Sequence, residues 1–300
     1  MYKCLIWGNG KVFYDNINQL KTLEYRKQII VVGVTGKIKT SNSYYGYNFI
    51  EKKNINSGTF DLVIIMSDKF YDEIEAEVIA LGIDSSRVIT YRALNVPFLK
   101  MDKYLKLKKN PISIFSLNCW GGITYHKLGL RFESPFINMF LEPYDYISYL
   151  EEPQKYIESD IKLEYMKYNE ELDINYPVCR CDDILLYFNH YDSFDKAKKS
   201  WDLRKKRINW ENIFVLFYSN DENLINRFTK LNYNKKICFT QIKYKSEYVY
   251  TIDCCKQDEL RDKPLYTIVS GMAWGQYFVY DAIELLLTGR LITVDRIKEN

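Results

Sequence analysis

Nine residues, Asn118 to His126, bring together a carboxamide, a thiol, two glycines and one of only two histidines in the 300-residue chain. A thiol becomes a nucleophile when a neighbouring base or a local positive field lowers its pKa. An imidazole can be that base and later return the proton to a leaving group. Cys119 and His126 therefore form a candidate nucleophile–base pair. Asn118 and the main-chain N–H groups of Gly121 and Gly122 can hold an oxyanion, and Trp120 adds an aromatic face to this substrate-contacting stretch. The alternative is that Cys119 is a small core residue, since unpaired cysteines are commonly buried. A seven-residue spacing does not by itself bring two side chains into contact.

The second histidine, His190, lies in Tyr187-Phe188-Asn189-His190-Tyr191-Asp192-Ser193. It is either an ordinary loop residue or an acid/base reaching towards the first motif. Asp192 or Ser193 can cap the helix expected next. That helix carries Arg204, with Arg207 just beyond. Ala197, Trp201 and Ile208 share a face with Arg204, and a cation on an apolar face must find an anion. The anion is either a buried carboxylate such as Asp182 or Asp183, or a ligand phosphate gripped bidentately by Arg204 and Arg207.

These residues need strand ends to position them. Ile112 to Leu117 reads as a buried strand, broken by Asn-Cys-Trp-Gly-Gly as a sharp glycine turn. Open α/β sheets place ligands at such ends. Further strands are expected at 137–141, 184–188, 213–217 and 237–242. Helices are expected at 146–152, 194–206, 224–231 and 282–287. The loops around Glu133 to Asn138, Asp253 and Ser270 to Gly275 are candidate pocket linings.

Ahead of them the first hundred residues alternate in the same way. Strands are expected at 2–7, 28–34, 60–66 and 87–90, and helices at 12–23 and 71–81, the second ended by Gly82. Apolar strands separated by helices imply a parallel sheet covered on both faces. The basic stretch Met101 to Pro111 reads as a surface helix at a domain boundary. The fold expected is α/β in two domains: a Rossmann-like parallel sheet over 1–108, and a larger, less regular α/β domain over 109–300.

Gly8-Asn9-Gly10 sits where a dinucleotide fingerprint would, between the first strand and first helix. Gly8 and Gly10 are candidate cofactor contacts, but Phe13 replaces the third glycine and no acid follows the second strand. A nucleotide, a phosphate or a purely structural turn all fit these residues.

Composition limits the classes. A formal net charge of +3 gives no reason to expect a nucleic-acid partner. No apolar run approaches the roughly 18–20 residues of a membrane span. The chain enters a strand at once, leaving no room for a signal peptide, so a cytoplasmic location is expected. Seven cysteines, an odd number, argue for reduced thiols. Cys179-Arg180-Cys181 and Cys254-Cys255 lack zinc-ligand spacing, and no metal site is expected. The 27 tyrosines accompany a Lys-, Asn- and Ile-rich composition and carry no functional weight.

Asn118-Cys119-Trp120-Gly121-Gly122, Tyr125-His126, Leu128-Gly129-Leu130 and Ser134-Pro135 resemble the signature of a bacterial family of unknown function. Tyr176-Pro177, His190-Tyr191, Trp201 and Arg204 to Trp210 follow in the same order. Members of that family are often labelled exopolysaccharide biosynthesis proteins, and the resemblance covers about residues 110–250. Residues 1–100 resemble the Rossmann-like domains that precede many bacterial sugar-modifying proteins. Asn-Cys followed by histidine is also similar to the Cys-His arrangement of capsule acetyltransferases.

The resemblance implies a transferase of surface or exopolysaccharide biosynthesis acting on a sugar or nucleotide sugar. Acyl transfer would use Cys119 as nucleophile or His126 as base. Glycosyl transfer would bypass Cys119 and use carboxylates such as Asp182, Asp183 or Asp192. A non-catalytic nucleotide- or sugar-binding regulatory protein is the remaining alternative.

Overall fold

The computed structural model describes residues 1–170, 173–253, 260 and 262–293. The chain is α/β and divides into two compact units, Met1–Lys109 with Lys127–Gly129, and Asn110–His126 with Leu130–Asn300.

In the first unit β1 (Tyr2–Trp7), α1 (Lys11–Asp15), α2 (Ile17–Tyr25) and β2 (Ile29–Thr35) come first. A small hairpin, β3 (Ser43–Tyr44) and β4 (Tyr47–Asn48), precedes β5 (Leu62–Ile65), α3 (Tyr71–Ala80), β6 (Val88–Thr90) and α4 (Met101–Lys109). The sheet runs β2-β1-β5-β6 with every pairing parallel. Its strands are nearly continuous Ile, Val and Leu because both faces are covered. The helix expected over 12–23 is two helices. Asn16 interrupts it, its Nδ2 donating to Val12 O at 2.8 Å. Gly82 ends α3 at φ +78°, which favours glycine. In α4, Tyr104, Leu105 and Leu107 are buried while Lys103, Lys106 and Lys108 take other faces, giving a surface helix.

The second unit holds a parallel sheet ordered β13-β12-β11-β7. Its strands are β7 (Ser113–Ser116), β11 (Ile213–Tyr218), β12 (Lys236–Thr240) and β13 (Val249–Thr251). Between β7 and β11 the chain forms α5 (Trp120–Leu128), α6 (Pro143–Glu151) and α7 (Pro153–Glu158). It then builds an antiparallel sheet, β8 (Ile161–Asn169), β9 (Ile174–Cys181) and β10 (Ile184–Tyr187), before α8 (Phe194–Lys205). The remaining helices are α9 (Glu222–Lys230), α10 (Leu265–Trp274) and α11 (Ala282–Thr288).

Three expectations are corrected here. The stretch 137–141 is not a strand, because Asn138 turns at φ +62° and only Phe140 bridges to Tyr187. Gly121 and Gly122 are not a turn but the first turn of α5, at negative φ. Ser270 to Trp274 is the end of α10, and only Gly275 beyond it takes a left-handed φ, +74°.

Aromatic side chains form much of the second unit's core. Phe136 meets Tyr149 edge-on at 4.8 Å, Phe115 at 5.1 Å and Trp201 at 6.3 Å. Edge-to-face pairs of this kind add about 0.5–1.5 kcal/mol each beyond area burial. Tyr146 joins the same core by donating its hydroxyl to Leu216 O at 3.1 Å. No helix among the described residues is long and apolar enough to cross a membrane.

Candidate functional site

Cys119 occupies the junction between the carboxyl end of β7 and the start of α5. Tyr125 clamps α5 onto β7: its hydroxyl donates to Ile112 O at 2.7 Å and accepts from Ile114 N at 2.8 Å. Ser116 Oγ donates to Asn118 O at 2.8 Å and accepts the Gly121 N–H at 3.1 Å. A Cβ on Gly121 would stand 2.7 Å from Ser116 Oγ and 3.1 Å from Ile114 Cγ2, so close packing requires glycine there. Asn118 is buried, with Oδ1 accepting from Trp120 N at 3.1 Å and Nδ2 donating to Ser270 Oγ at 2.7 Å. The thiol therefore sits on an over-determined bend, only partly buried.

The imidazole beside that thiol belongs to His190. Its Nε2 lies 3.5 Å from Cys119 Sγ, brought there by the chain leaving β10. His126 lies in the last turn of α5, exposed and about 10 Å further along the helix at 1.5 Å per residue. Of the two histidines, His190 and not His126 partners Cys119.

Burial pushes the Cys119 thiol above its ordinary range. Partial burial lowers the His190 imidazole below its own. Both shifts favour a resting pair of neutral thiol and neutral imidazole over a thiolate–imidazolium pair. Asn189 Oδ1, next in the chain to His190, is a buried acceptor with no protein hydrogen bond.

Tyr218, the last residue of β11, is the neighbour that sequence reasoning missed. Burial pushes its phenol well up, and Cys119, Glu142 and Tyr266 all raise it further. Tyr218 falls just past the strand expected at 213–217, and its nearness to Cys119 depends on β11 pairing with β7. Ser270 was singled out only as part of a loop, and its role in holding Asn118 depends on α10.

The other predicted residues take structural positions. Trp120 is fully buried, packed against Phe214 at 5.8 Å, and offers no face to a ligand. The Gly121 N–H is spent on Ser116, and Gly122 packs near Ile137. Arg204 donates to the Tyr191 hydroxyl at 2.6 Å and to Ile137 O at 3.3 Å, with its guanidinium over the Phe132 ring. Arg207 donates to Phe132 O at 3.4 Å. Neither arginine meets Asp182 or Asp183, which hold Lys155 at 2.7 and 3.0 Å in the β9–β10 turn. Asp192 pairs with Lys196 at 2.6 Å.

In the first unit Gly8 takes φ +116° and donates its N–H to Thr35 O, and Gly10 caps α1. α1 has only five residues, and Phe13, standing where a third glycine would, is fully buried.

Among the described residues no group of three or more His, Cys, Asp or Glu side chains is arranged to hold a metal ion. Cys4, Cys119, Cys179, Cys181 and Cys238 are free thiols, while Cys254 and Cys255 lie outside the described residues.

Residues 1–89 are similar to the domain described as C2185-like, N-terminal. An uncharacterized protein of Haemophilus influenzae is 30% identical over 171 residues, covering 55% of this chain and 80% of the relative. Residues 90–285, which hold Cys119, His190 and the whole of their sheet, match the domain of unknown function DUF1919, and the chain belongs to that family.

Proposed function

We propose that the Cys119–His190 pair is the reaction centre of an acyl transferase that modifies a sugar or nucleotide sugar of bacterial surface polysaccharide. The observation that carries this reading is the 3.5 Å approach of Sγ, just past the carboxyl end of β7, and Nε2, on the chain that leaves β10. A neutral imidazole takes the thiol proton as sulfur attacks the acyl carbonyl of a thioester donor. The carbonyl carbon–sulfur bond of the donor then breaks, its thiolate leaves with the proton held by His190, and the acyl group remains on Cys119. A sugar hydroxyl attacks this acyl-enzyme with His190 again as base, the bond between the carbonyl carbon and Cys119 Sγ breaks, and His190 returns the proton to the sulfur. The tetrahedral oxyanion needs a donor near Cys119, and the phenol of Tyr218, which burial keeps protonated, is the candidate. The sugar acceptor is supported by the resemblance to proteins labelled for exopolysaccharide biosynthesis.

Glycosyl transfer is the weaker reading, because Asp182, Asp183 and Asp192 are all engaged by lysines on exposed turns.

The test is intact-mass analysis after mixing the protein with acetyl-CoA. One acetyl group is expected on Cys119 and none on Cys119→Ala. His190→Ala should slow the step by roughly 10²–10⁴-fold, the usual contribution of a general base, and His126→Ala should leave it unchanged. Acetylation that persists in Cys119→Ala, or its complete absence from wild type, would overturn the proposal.

A further inference from the structure

The first sheet runs β2-β1-β5-β6, so the chain steps from β1 to one side and returns to the other. The crevice outside the carboxyl ends of the strands at such a reversal is where open parallel sheets bind ligands. A cavity of about 590 Å³ lies there, with the strand ends Trp7 and Met66 in its walls. That volume falls within the range of about 300–1,000 Å³ typical of small-molecule sites.

The two sides of this cleft differ in chemistry. On the α3 side stand Phe70, half exposed, and Ile74, with the carboxylates of Glu73 and Glu77 beside them. The opposite side is glycine-rich backbone, Gly8 to Gly10 and Gly36. Gly8 has φ +116°, and a Cβ there would stand 3.0 Å from Met66 O. A Cβ on Gly36 would stand 2.4 Å from Asn9 Oδ1. Both positions therefore pack too closely for a side chain, and Asn9 and Lys37 are the polar side chains beside them.

The charges are also uneven. Lys52 is neutralised by Glu77 at 2.5 Å, and Lys11 by Asp15 at 2.5 Å. Lys37 has no carboxylate partner among the described residues, and it adjoins Gly36 on the backbone side. A ligand that satisfies both sides has a flat apolar end and an anionic end.

We propose that this cleft binds a nucleoside phosphate, with its base against Phe70, Ile74 and Met66 and its phosphate on the Gly8–Gly10 loop beside Lys37. A dinucleotide fits less well. Phe13 fills the place of the third glycine, and β2 leads to Gly36 and Lys37 where the dinucleotide fingerprint places an acid on a ribose hydroxyl. The site lies wholly within the first unit, so it stands or falls separately from the thiol chemistry.

Calorimetric titration of the full chain with ADP, UDP, adenosine and uridine tests it. At least one nucleotide is expected to bind saturably to one site, at least tenfold tighter than its nucleoside. Lys37→Ala should weaken that binding about tenfold, the effect of one charge-assisted hydrogen bond. Gly10 has φ −93° and nothing within 4 Å of where its Cβ would stand. Gly10→Leu should therefore keep the wild-type Tm, fill the cleft and abolish binding. The proposal is overturned if neither nucleotide binds at millimolar concentration, if nucleosides bind as tightly as nucleotides, or if a folded Gly10→Leu binds unchanged. Should Gly10→Leu lose its folding transition, the exposed Lys37→Ala decides alone, and unchanged affinity there overturns it.

Discussion

Cys119 and His190 are separated by 71 positions in the chain and by 3.5 Å in space. The thiol is fixed by a strand-to-helix bend, the imidazole by the chain leaving an antiparallel hairpin. Burial raises the thiol and desolvation lowers the imidazole, so both directions favour an uncharged pair at rest, and this fixes how the thiol should behave before any substrate is known.

Alkylation of Cys119 by iodoacetamide should be slow at pH 7 and accelerate only above the ordinary thiol pKa of about 8.5, since the thiolate is the reactive form. Peptide mapping of the Cys119 adduct across pH 5–10 measures this. Fast, pH-independent alkylation between pH 6 and 7 would show a preformed thiolate and refute the neutral pair.

Stability should carry the mark of His190. Its folded pKa is depressed, so between that value and the unfolded value of about 6.5 the unfolded chain binds more protons. The stabilisation is complete above about pH 6.5 and is lost as the pH falls through the folded value. Wild type should therefore lose Tm more steeply than His190→Gln on acidification below that point. Parallel curves would remove His190 from the linkage.

Two glycines should respond to alanine in opposite ways. Gly121→Ala forces a methyl to within 2.7 Å of Ser116 Oγ. It should cost about 1–3 kcal/mol, the usual range for overpacking. Gly10→Ala meets open space at an ordinary φ. It should be neutral or stabilising by up to about 1 kcal/mol through the unfolded chain. Urea unfolding of both variants reads the difference, and equal midpoints would contradict the packing of the bend.

Arg204 should prove structural. Arg204→Ala leaves the Tyr191 hydroxyl and the Ile137 carbonyl without their donor. A loss of about 1–3 kcal/mol is expected, with nucleotide affinity unchanged in calorimetry. Weakened nucleotide binding at wild-type stability would instead return Arg204 to the role of an anion contact.

The parts of this architecture that were legible in the sequence are those set by local pattern. Ile29 to Thr35 and Leu62 to Ile65 are apolar runs that no amphipathic helix would show, and each pairs in parallel with β1 between them. Cys119 was legible as a thiol at a strand end, with His126 and His190 both offered as its imidazole, and the sequence alone did not choose between them. Sequence proximity favoured His126, but a helix begins at Trp120 and carries His126 away, whereas β9 and β10 return His190. Gly-Gly was misleading because its role is close packing on Ser116, which no local rule distinguishes from a turn. β8, with seven of its nine residues exposed, lacks the alternation that would announce a strand. Arg204 drew an expected anion because its neighbours are apolar, yet one hydroxyl, one carbonyl and a ring face satisfy it.

The second sheet adds strands in one direction only, β7, β11, β12 and β13, so no reversal of winding opens a crevice beside Cys119. The base arrives instead on an insertion between neighbouring strands, residues 143–192. That insertion is itself built into the core, with Tyr146, Tyr149, Tyr156, Cys179 and Phe188 buried, so changes within it are felt as changes in packing. The two halves of the pair thus have separate supports: a substitution that loosens this packing displaces the imidazole while the bend that carries the sulfur stays as it is.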